Sequence, residues 1–513
     1  MPETPEAKAS QGDLYIAVDL GAGSGRVFLV GFGDDELLFD EIARFQYPPV
    51  REDGHLYWDF ARILGEIKLG LKIAGERAKK LGRSVHSLAI DSWGVDYGLL
   101  DADGRLLADP ICYRDDRTQA AMELVFSIIP RSEIFEKTGI QFLNFNTIYQ
   151  LFSEDKIELQ NTKSFLLIPD LINYFLTGSI SAEYTNATTT QLLNTHTKNW
   201  DREIIEQIGL PLHLFPKVVE AGTDLGLLRS EIADSTAFSK TRVVATASHD
   251  TASGVAAAPI EDGWAYISSG TWSLIGVERN SALINDNVAQ HNFTNEGGAF
   301  GTIRFLKNVM GLWIYESCRK EWKSKGVDID HDDIIENVVA IDDFKGFIFP
   351  DDERFLNPES MFDAIATQMD ETGQRFEDSP VIIAKIIFDS LAFRYASALK
   401  TIELLTGAKL CGVQIVGGGG RNEYLNQLTA DACGLTVQAG LFEATAMGNA
   451  AVQAISAGRF ASLIEARNYI RRHASLKSYL PRTSPKLARA AECYHEVESR
   501  FVSKKASLPT YEK

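Results

Sequence analysis

The sequence predicts a mixed α/β fold in two halves, on three observations. A β-rich run, a glycine-dense turn and a second β-rich run open the chain between residues 14 and 32. A strand signal returns at 242–247, and a strand at 265–268 leads into the turn Ser269-Gly270-Thr271-Trp272-Ser273, repeating the opening scheme. Near the end, a short buried strand at 413–416 runs through the glycines Gly417 to Gly420 into helical spacing at Tyr424, Leu425, Leu428 and Ala432.

Each element follows from its own pattern. Residues 14–19 are a β-rich apolar run and 26–32 a second β-rich run, which reads as strand, loop, strand. From 59 to 81, Phe60, Ile63, Leu64, Ile67, Leu71, Ala74 and Ala78 recur at intervals of three and four, predicting an amphipathic helix. The basic residues near its end suit the helix dipole. Residues 87–91 read as a buried strand, and 97–100 with 106–107 flank Asp101-Ala102-Asp103-Gly104, a hairpin signal. From 114 to about 240, helical stretches alternate with loops marked by Pro130, Pro169, Pro211 and Pro216, suggesting an insertion or cap region. The main boundary is expected near residue 245.

Composition narrows the function. In 513 residues, 70 acidic side chains outnumber 51 basic ones, and a net charge of −19 argues against binding nucleic acid or an anionic membrane. Five dispersed cysteines form no disulfide framework, which fits a reducing compartment. With no apolar segment in residues 1–13 and none long enough to span a bilayer, the expectation is a cytoplasmic protein with a loose tail at 1–13. Nothing has metal-ligand spacing for zinc.

Several segments have the residues for chemistry. Asp19-Leu20-Gly21-Ala22-Gly23-Ser24-Gly25-Arg26 sets an acid at a strand end before a backbone able to approach a phosphate closely, with Asp19 able to hold a hydrated Mg²⁺. An ordinary glycine hairpin reads equally well. Ser268 to Ser273 is a second turn of the same type, and the run Gly417 to Gly420 would let a flat ligand pass over bare backbone. In His249-Asp250-Thr251, Asp250 is either a helix N-cap or a general base for a hydroxyl. The segment 91–96 is either a strand end with a packed Trp93 or a polyol site.

The ensemble resembles the actin-like sugar kinases of the FGGY family. The likeness is carried by VDLGAGSGR at 18–26, IDSWGVD at 90–96, GIQFLNFNT at 139–147, EYTNATTTQL at 183–192, ASHDTAS at 247–253 and SSGTWSL at 268–274. TNEGG at 294–298, LKNVMGLW at 306–313, IVGGG at 415–419 and NQLTADACG at 426–434 continue it, over about residues 14 to 450. The resemblance implies two ribonuclease-H-like, actin-like ATPase domains with a central ATP and sugar cleft. They are expected at 14–245 and 246–485, after the tail at 1–13 and before a C-terminal helix or tail at 486–513. It further implies ATP contacts from Ala22, Gly23, Ser24, Gly25, Arg26, Thr271 and Gly418, and Mg²⁺ held at Asp19 through water. Gly94, His249, Asp250, Thr251 and Asn308 would contact the sugar, with Asp250 as proton acceptor. Glu316 stands where relatives can carry Gln and is left outside the site. The motifs run closest to members acting on L-rhamnulose, phosphorylated at O1 by ATP, with L-fuculose or L-xylulose as alternative acceptors. The partners expected are thus a ketose and ATP, in a monomer or small homo-oligomer, with neither nucleic acid nor membrane.

Overall fold

The computed structural model describes residues 13–236 and 238–506. All but Asp13 of the expected tail lies outside them, and the described part of the C-terminal segment is the helix Pro485–Ala506. The described chain forms two compact units. One comprises residues up to Pro259 with Glu278–Phe305 and Glu443–Ala474; the other comprises Ile260–Val277, Leu306–Phe442 and the residues from Ser475 onward. The first unit thus draws on segments from both sides of the boundary expected near residue 245.

The sheet of the first unit orders its strands Thr223–Leu227, Arg242–Ala245, Val85–Ser92, Leu14–Gly21, Ser24–Phe32 and Leu37–Gln46. The strand Leu14–Gly21 is central and buried along nearly its whole length, which is why it is apolar apart from Asp19. It runs parallel to Val85–Ser92 with Asp19 opposite Asp91, and antiparallel to Ser24–Phe32 with Asp19 opposite Arg26. Register alone therefore gathers three charged side chains at one end of the sheet. The predicted amphipathic helix is Phe60–Leu81, capped by Asp59, whose side chain accepts from the Arg62 N–H, and closed by left-handed Gly82. It buries Ile63, Ile67, Leu71 and Ala74, the larger of which contribute about 1.5–3 kcal/mol each. The helix Ala444–Ser456 also packs on this sheet, since Gln453 donates to the Ile16 carbonyl and Asn449 to that of Ala89.

In the second unit, Trp272–Arg279, Trp264–Ser269, Gly412–Val416, Thr436–Leu441 and Lys477–Tyr479 lie in that order. Trp264–Ser269 is antiparallel to Trp272–Arg279 and parallel to Gly412–Val416, so the first unit's strand, turn and strand are repeated in kind. The helix Pro380–Thr406 begins with proline in its first turn, ends at left-handed Gly407, and is buried on most sides of its middle.

The hairpin expected around 101–104 is corrected. The tight turn forms, with Gly104 at φ 78°, but its second arm is reduced to one bridge between Leu100 and Leu106. Tyr97–Leu100 pairs instead with Ser164–Leu167, whose four buried residues offer a longer apolar partner.

Candidate active site

The turn after Leu14–Gly21 is a two-residue hairpin loop, Ala22 and Gly23, closed by the Gly21–Ser24 pair. Gly23 has φ 132° and open space where a side chain would project, so glycine here serves the backbone conformation. Gly25 serves packing: a Cβ would stand 2.5 Å from the Phe45 ring. The Tyr47 hydroxyl lies 2.7 Å from the Gly21 carbonyl oxygen and 2.9 Å from that of Ser24, fixing the turn from beneath. Arg26 closes the site, paired with Asp19 at 2.5 Å and with Glu443.

Asp19 stands in a negative neighbourhood. Burial pushes its carboxyl up to about 6 against the pull of Arg26, with Asp250 and Glu443 adding to the rise. Asp91, its partner across the sheet, is fully buried and held well above the usual carboxylate range, first by burial and then by Asp19. One oxygen of Asp91 accepts from Asn449 at 2.6 Å; the other is buried without a hydrogen-bond partner. Asn449 in turn accepts from Gln453, which accepts from Ser87, so a buried polar ladder backs the carboxylates.

His249, Asp250 and Thr251 lie in the same unit, where Ser248 and His249 run beside Ser92. The N-cap of the helix Asp250–Ala257 is His249, so Asp250 is not the cap. Its Oδ1 accepts from the Thr251 N–H at 2.5 Å and lies 3.4 Å from His249 Nε2, while its side chain remains about one-third exposed at 32%. A partly exposed carboxylate not consumed by capping is available to a hydroxyl. Glu183 bolts the segment down: its Oε2 accepts from the Ser248 N–H at 2.9 Å and hydroxyl at 2.8 Å while also capping the helix Tyr184–Thr189. Burial raises the Glu183 carboxyl. The His249 ring meets Glu296 and Arg304, the latter wholly buried.

Within residues 91–96, Trp93 and Asp96 are packed. The Asp96 carboxylate accepts from the indoles of Trp58 at 2.7 Å and Trp93 at 2.9 Å, from the Tyr113 N–H and from Gln150. Burial still pushes it up to about 6. Neither it nor buried Trp93 is left for a polyol. Gly94 is partly exposed, and a Cβ there would stand 3.0 Å from the Thr189 hydroxyl. Val95 beside it has φ 70°, held by hydrogen bonds to Thr147, Gln150 and Thr189.

Thr271, Asn308 and Gly418 belong to the second unit. Thr271 is exposed at the tip of its hairpin, its carbonyl accepting from Gly311 and Trp313. Gly417, at φ 85°, abuts the Ser269 carbonyl, whereas Gly418 is exposed, and a Cβ there would meet nothing within 4 Å. The two turns thus adjoin through Ser269 and Gly417. Asn308 is half-buried on Ile303–Met310.

The N-terminal domain of the FGGY family of carbohydrate kinases matches residues 14–257 and its C-terminal domain matches 265–457. The chain belongs to this family. Rhamnulokinases are similar to this FGGY kinase over nearly their full length. Those of Bacillus subtilis and Bacteroides thetaiotaomicron are each 41% identical over 91% of this chain and 96% of their own. That of Klebsiella pneumoniae is 41% identical over 92% of this chain and 96% of its own. A Lactobacillus acidophilus xylulose kinase shares the fold at TM-score 0.76 and 16% identity, covering 97% of this chain and 99% of its own. Plasmodium falciparum glycerol kinase with ADP shares it at TM-score 0.72 and 15% identity, covering 98% of this chain and 100% of its own. The FGGY kinase fold is the two-domain, actin-like ATPase fold. Among its described residues no helix is long and apolar enough to cross a membrane, and the five cysteines are free.

The sequence singled out no role for Glu183, Glu296, Arg304, Glu443 or Asn449. The first three sit in or beside segments that carry the family likeness, which was the available signal; nothing local marks Glu443 or Asn449.

Proposed function

We propose that this carbohydrate kinase transfers the γ-phosphoryl group of Mg-ATP to the 1-hydroxyl of L-rhamnulose, giving L-rhamnulose 1-phosphate and ADP. The observation that carries the mechanism is Asp250, a carboxylate about one-third exposed that is not the N-cap of its helix, whose Oδ1 accepts from the Thr251 N–H and hydroxyl and lies 3.4 Å from His249 Nε2. The choice of sugar is supported by the 41% identity to rhamnulokinases. Asp250 accepts the hydroxyl proton as the sugar oxygen attacks phosphorus, the O–P bond forms and the bond to the β-phosphate oxygen breaks. Such a transition state is loose, so positioning does most of the work.

Gly94, His249, Thr251 and Asn308 hold the ketose in this reading. Ala22, Gly23, Ser24, Gly25 and Arg26 take the phosphates, with Thr271 and Gly418 serving the nucleotide from the second unit. Arg26 begins engaged by Asp19 and Glu443, so phosphate binding exchanges one ionic partner for another. Mg²⁺, when bound, neutralises phosphate oxygens. No group of three or more His, Cys, Asp or Glu forms a ligand set among the described residues. Asp19 beside Asp91, whose second oxygen lacks a partner, fits a hydrated ion held through water.

The test is ADP release by purified protein with Mg-ATP and L-rhamnulose, L-fuculose, L-xylulose, D-xylulose or glycerol, with a no-sugar control. Turnover favouring L-rhamnulose, phosphorylated at O1, is expected. Preference for another ketose reassigns the pocket, and release indifferent to sugar removes the kinase reading.

A further inference from the structure

We infer that Arg304 is a positioning residue that fixes the proton of the His249 ring, holding it as the neutral tautomer protonated on Nε2. This rests on the reading of residues 249–251 as the sugar-binding segment. Arg304 is 0% exposed, and its place is set by a bond from Nε to the Gly297 carbonyl at 2.8 Å. Its Nη2 stands 3.1 Å from His249 Nδ1. A guanidinium only donates and keeps its charge, so the nitrogen it faces must offer a lone pair. That excludes a proton on Nδ1, and with it both the other tautomer and the imidazolium. The ring's one N–H is then on Nε2, the nitrogen 3.4 Å from Asp250 Oδ1.

Glu296 is the competing group. Its Oε2 lies 3.5 Å from His249 Nδ1, and alone it would draw the proton to that side. It sits closer to Arg304 Nη2, at 3.0 Å, and the ion pair directs the carboxylate to the guanidinium. The pair therefore gives a buried charge its counter-charge and leaves the ring one permitted state. Within the proposed reaction, His249 enters as a hydrogen-bond donor at the Asp250 edge of the site, and Asp250 alone accepts the proton. Neither Arg304 nor Glu296 touches the reacting atoms in this scheme; both act through the ring.

Long-range ¹H–¹⁵N correlation spectra of the whole protein labelled with ¹⁵N-histidine read the tautomer directly, with His249→Gln identifying the resonance. Protonated Nε2 with bare Nδ1 at pH 7.5 is expected; protonated Nδ1, or a doubly protonated ring, overturns the inference. Arg304→Met leaves Glu296 facing Nδ1 and is expected to move the proton there, raising the sugar KM about tenfold, the value of one hydrogen bond, with ATP KM within about twofold. Arg304→Lys, which keeps a cationic donor, restores the Nε2–H signal. A methionine variant with the wild-type tautomer, or with both KM values raised alike, overturns the positioning role. Should Arg304→Met fail to fold, the wild-type spectrum still decides the ring's state. An Nε2–H ring in a protein that ignores every sugar sinks the proposed function while leaving the inference standing; an Nδ1–H ring in an active kinase does the reverse.

Discussion

The hairpin turn of the first unit and its counterpart in the second are built on the same antiparallel scheme, yet their chemistry is opposite. Around 19–26 the chain gathers Asp19, Asp91, Asp250 and Glu443, with Arg26 ion-paired directly to Asp19 and Glu443. Around 269–272 and 417–420 it offers hydroxyls and bare glycine backbone, with Gly418 facing open space. A turn rich in ionic partners must trade them to take a ligand, so its contacts discriminate between charge states. A neutral, open turn only has to be the right shape.

The contrast breaks most severely if the reactive charge is not confined to the first unit. Asp250→Asn is expected to lower kcat by about 10³-fold while ADP affinity, read by calorimetry, stays within about threefold. Retained turnover would remove Asp250 as the base.

Next in size is the cost of burying carboxylates, which pH exposes. The Asp96 carboxyl is pushed up to about 6 in the folded protein by burial, from 3.8. A raised folded value means the native state binds the extra proton, so this stability is present below about pH 4 and is lost as pH rises through 6, amounting to about 3 kcal/mol. Thermal unfolding followed from pH 4.5 to 7.5 should therefore show a downward slope that Asp96→Asn flattens; the amide oxygen of the variant can still accept from both indoles, while its NH2 faces the Gln150 amide that now donates to Asp96. An unchanged slope would mean that Asp96 stays ionised throughout.

Arg26→Met against Thr271→Val sharpens the comparison in kinetics. Removing a charged partner should raise ATP KM about 10- to 100-fold, and removing one hydroxyl about 3- to 10-fold. The reverse ranking would assign the phosphates to the second turn. The smallest effect separates two neighbouring glycines. Gly417→Ala, at φ 85° against the Ser269 carbonyl, should cost about 1–3 kcal/mol of stability. Gly418→Ala should leave the melting temperature unchanged and alter only ATP KM, by about threefold.

Local chemistry was legible. The strands, the helix expected at 59–81 and both turns could be read from residue type and spacing, because each is decided within a few positions. What could not be read is whatever is decided by distant chain. Arg304 meets His249 across 55 residues, Glu183 meets Ser248 across 65, and Asn449 meets Asp91 across 358. No periodicity encodes such meetings. Asp250 shows the limit well: its type and place suit an N-cap, and only the structure shows that His249 holds the cap position instead. Asp96 errs the other way, a plausible sugar ligand by type whose oxygens are taken up by Trp58, Trp93, Tyr113 and Gln150.

The helix Ala444–Ser456 carries Gln453 and Asn449 back to the strands at Ile16, Ser87 and Asp91. On a ribosome Asn449 emerges 358 residues after the Asp91 that needs it. The first unit therefore cannot complete its interior while it is being made; until then Ser87 and Asp91 must stay hydrated or be shielded. A fragment cut near residue 245 would be caught in that unfinished state for good, and is expected to come out of expression insoluble or chaperone-bound, whereas adding residues 443–474 in trans should rescue part of it.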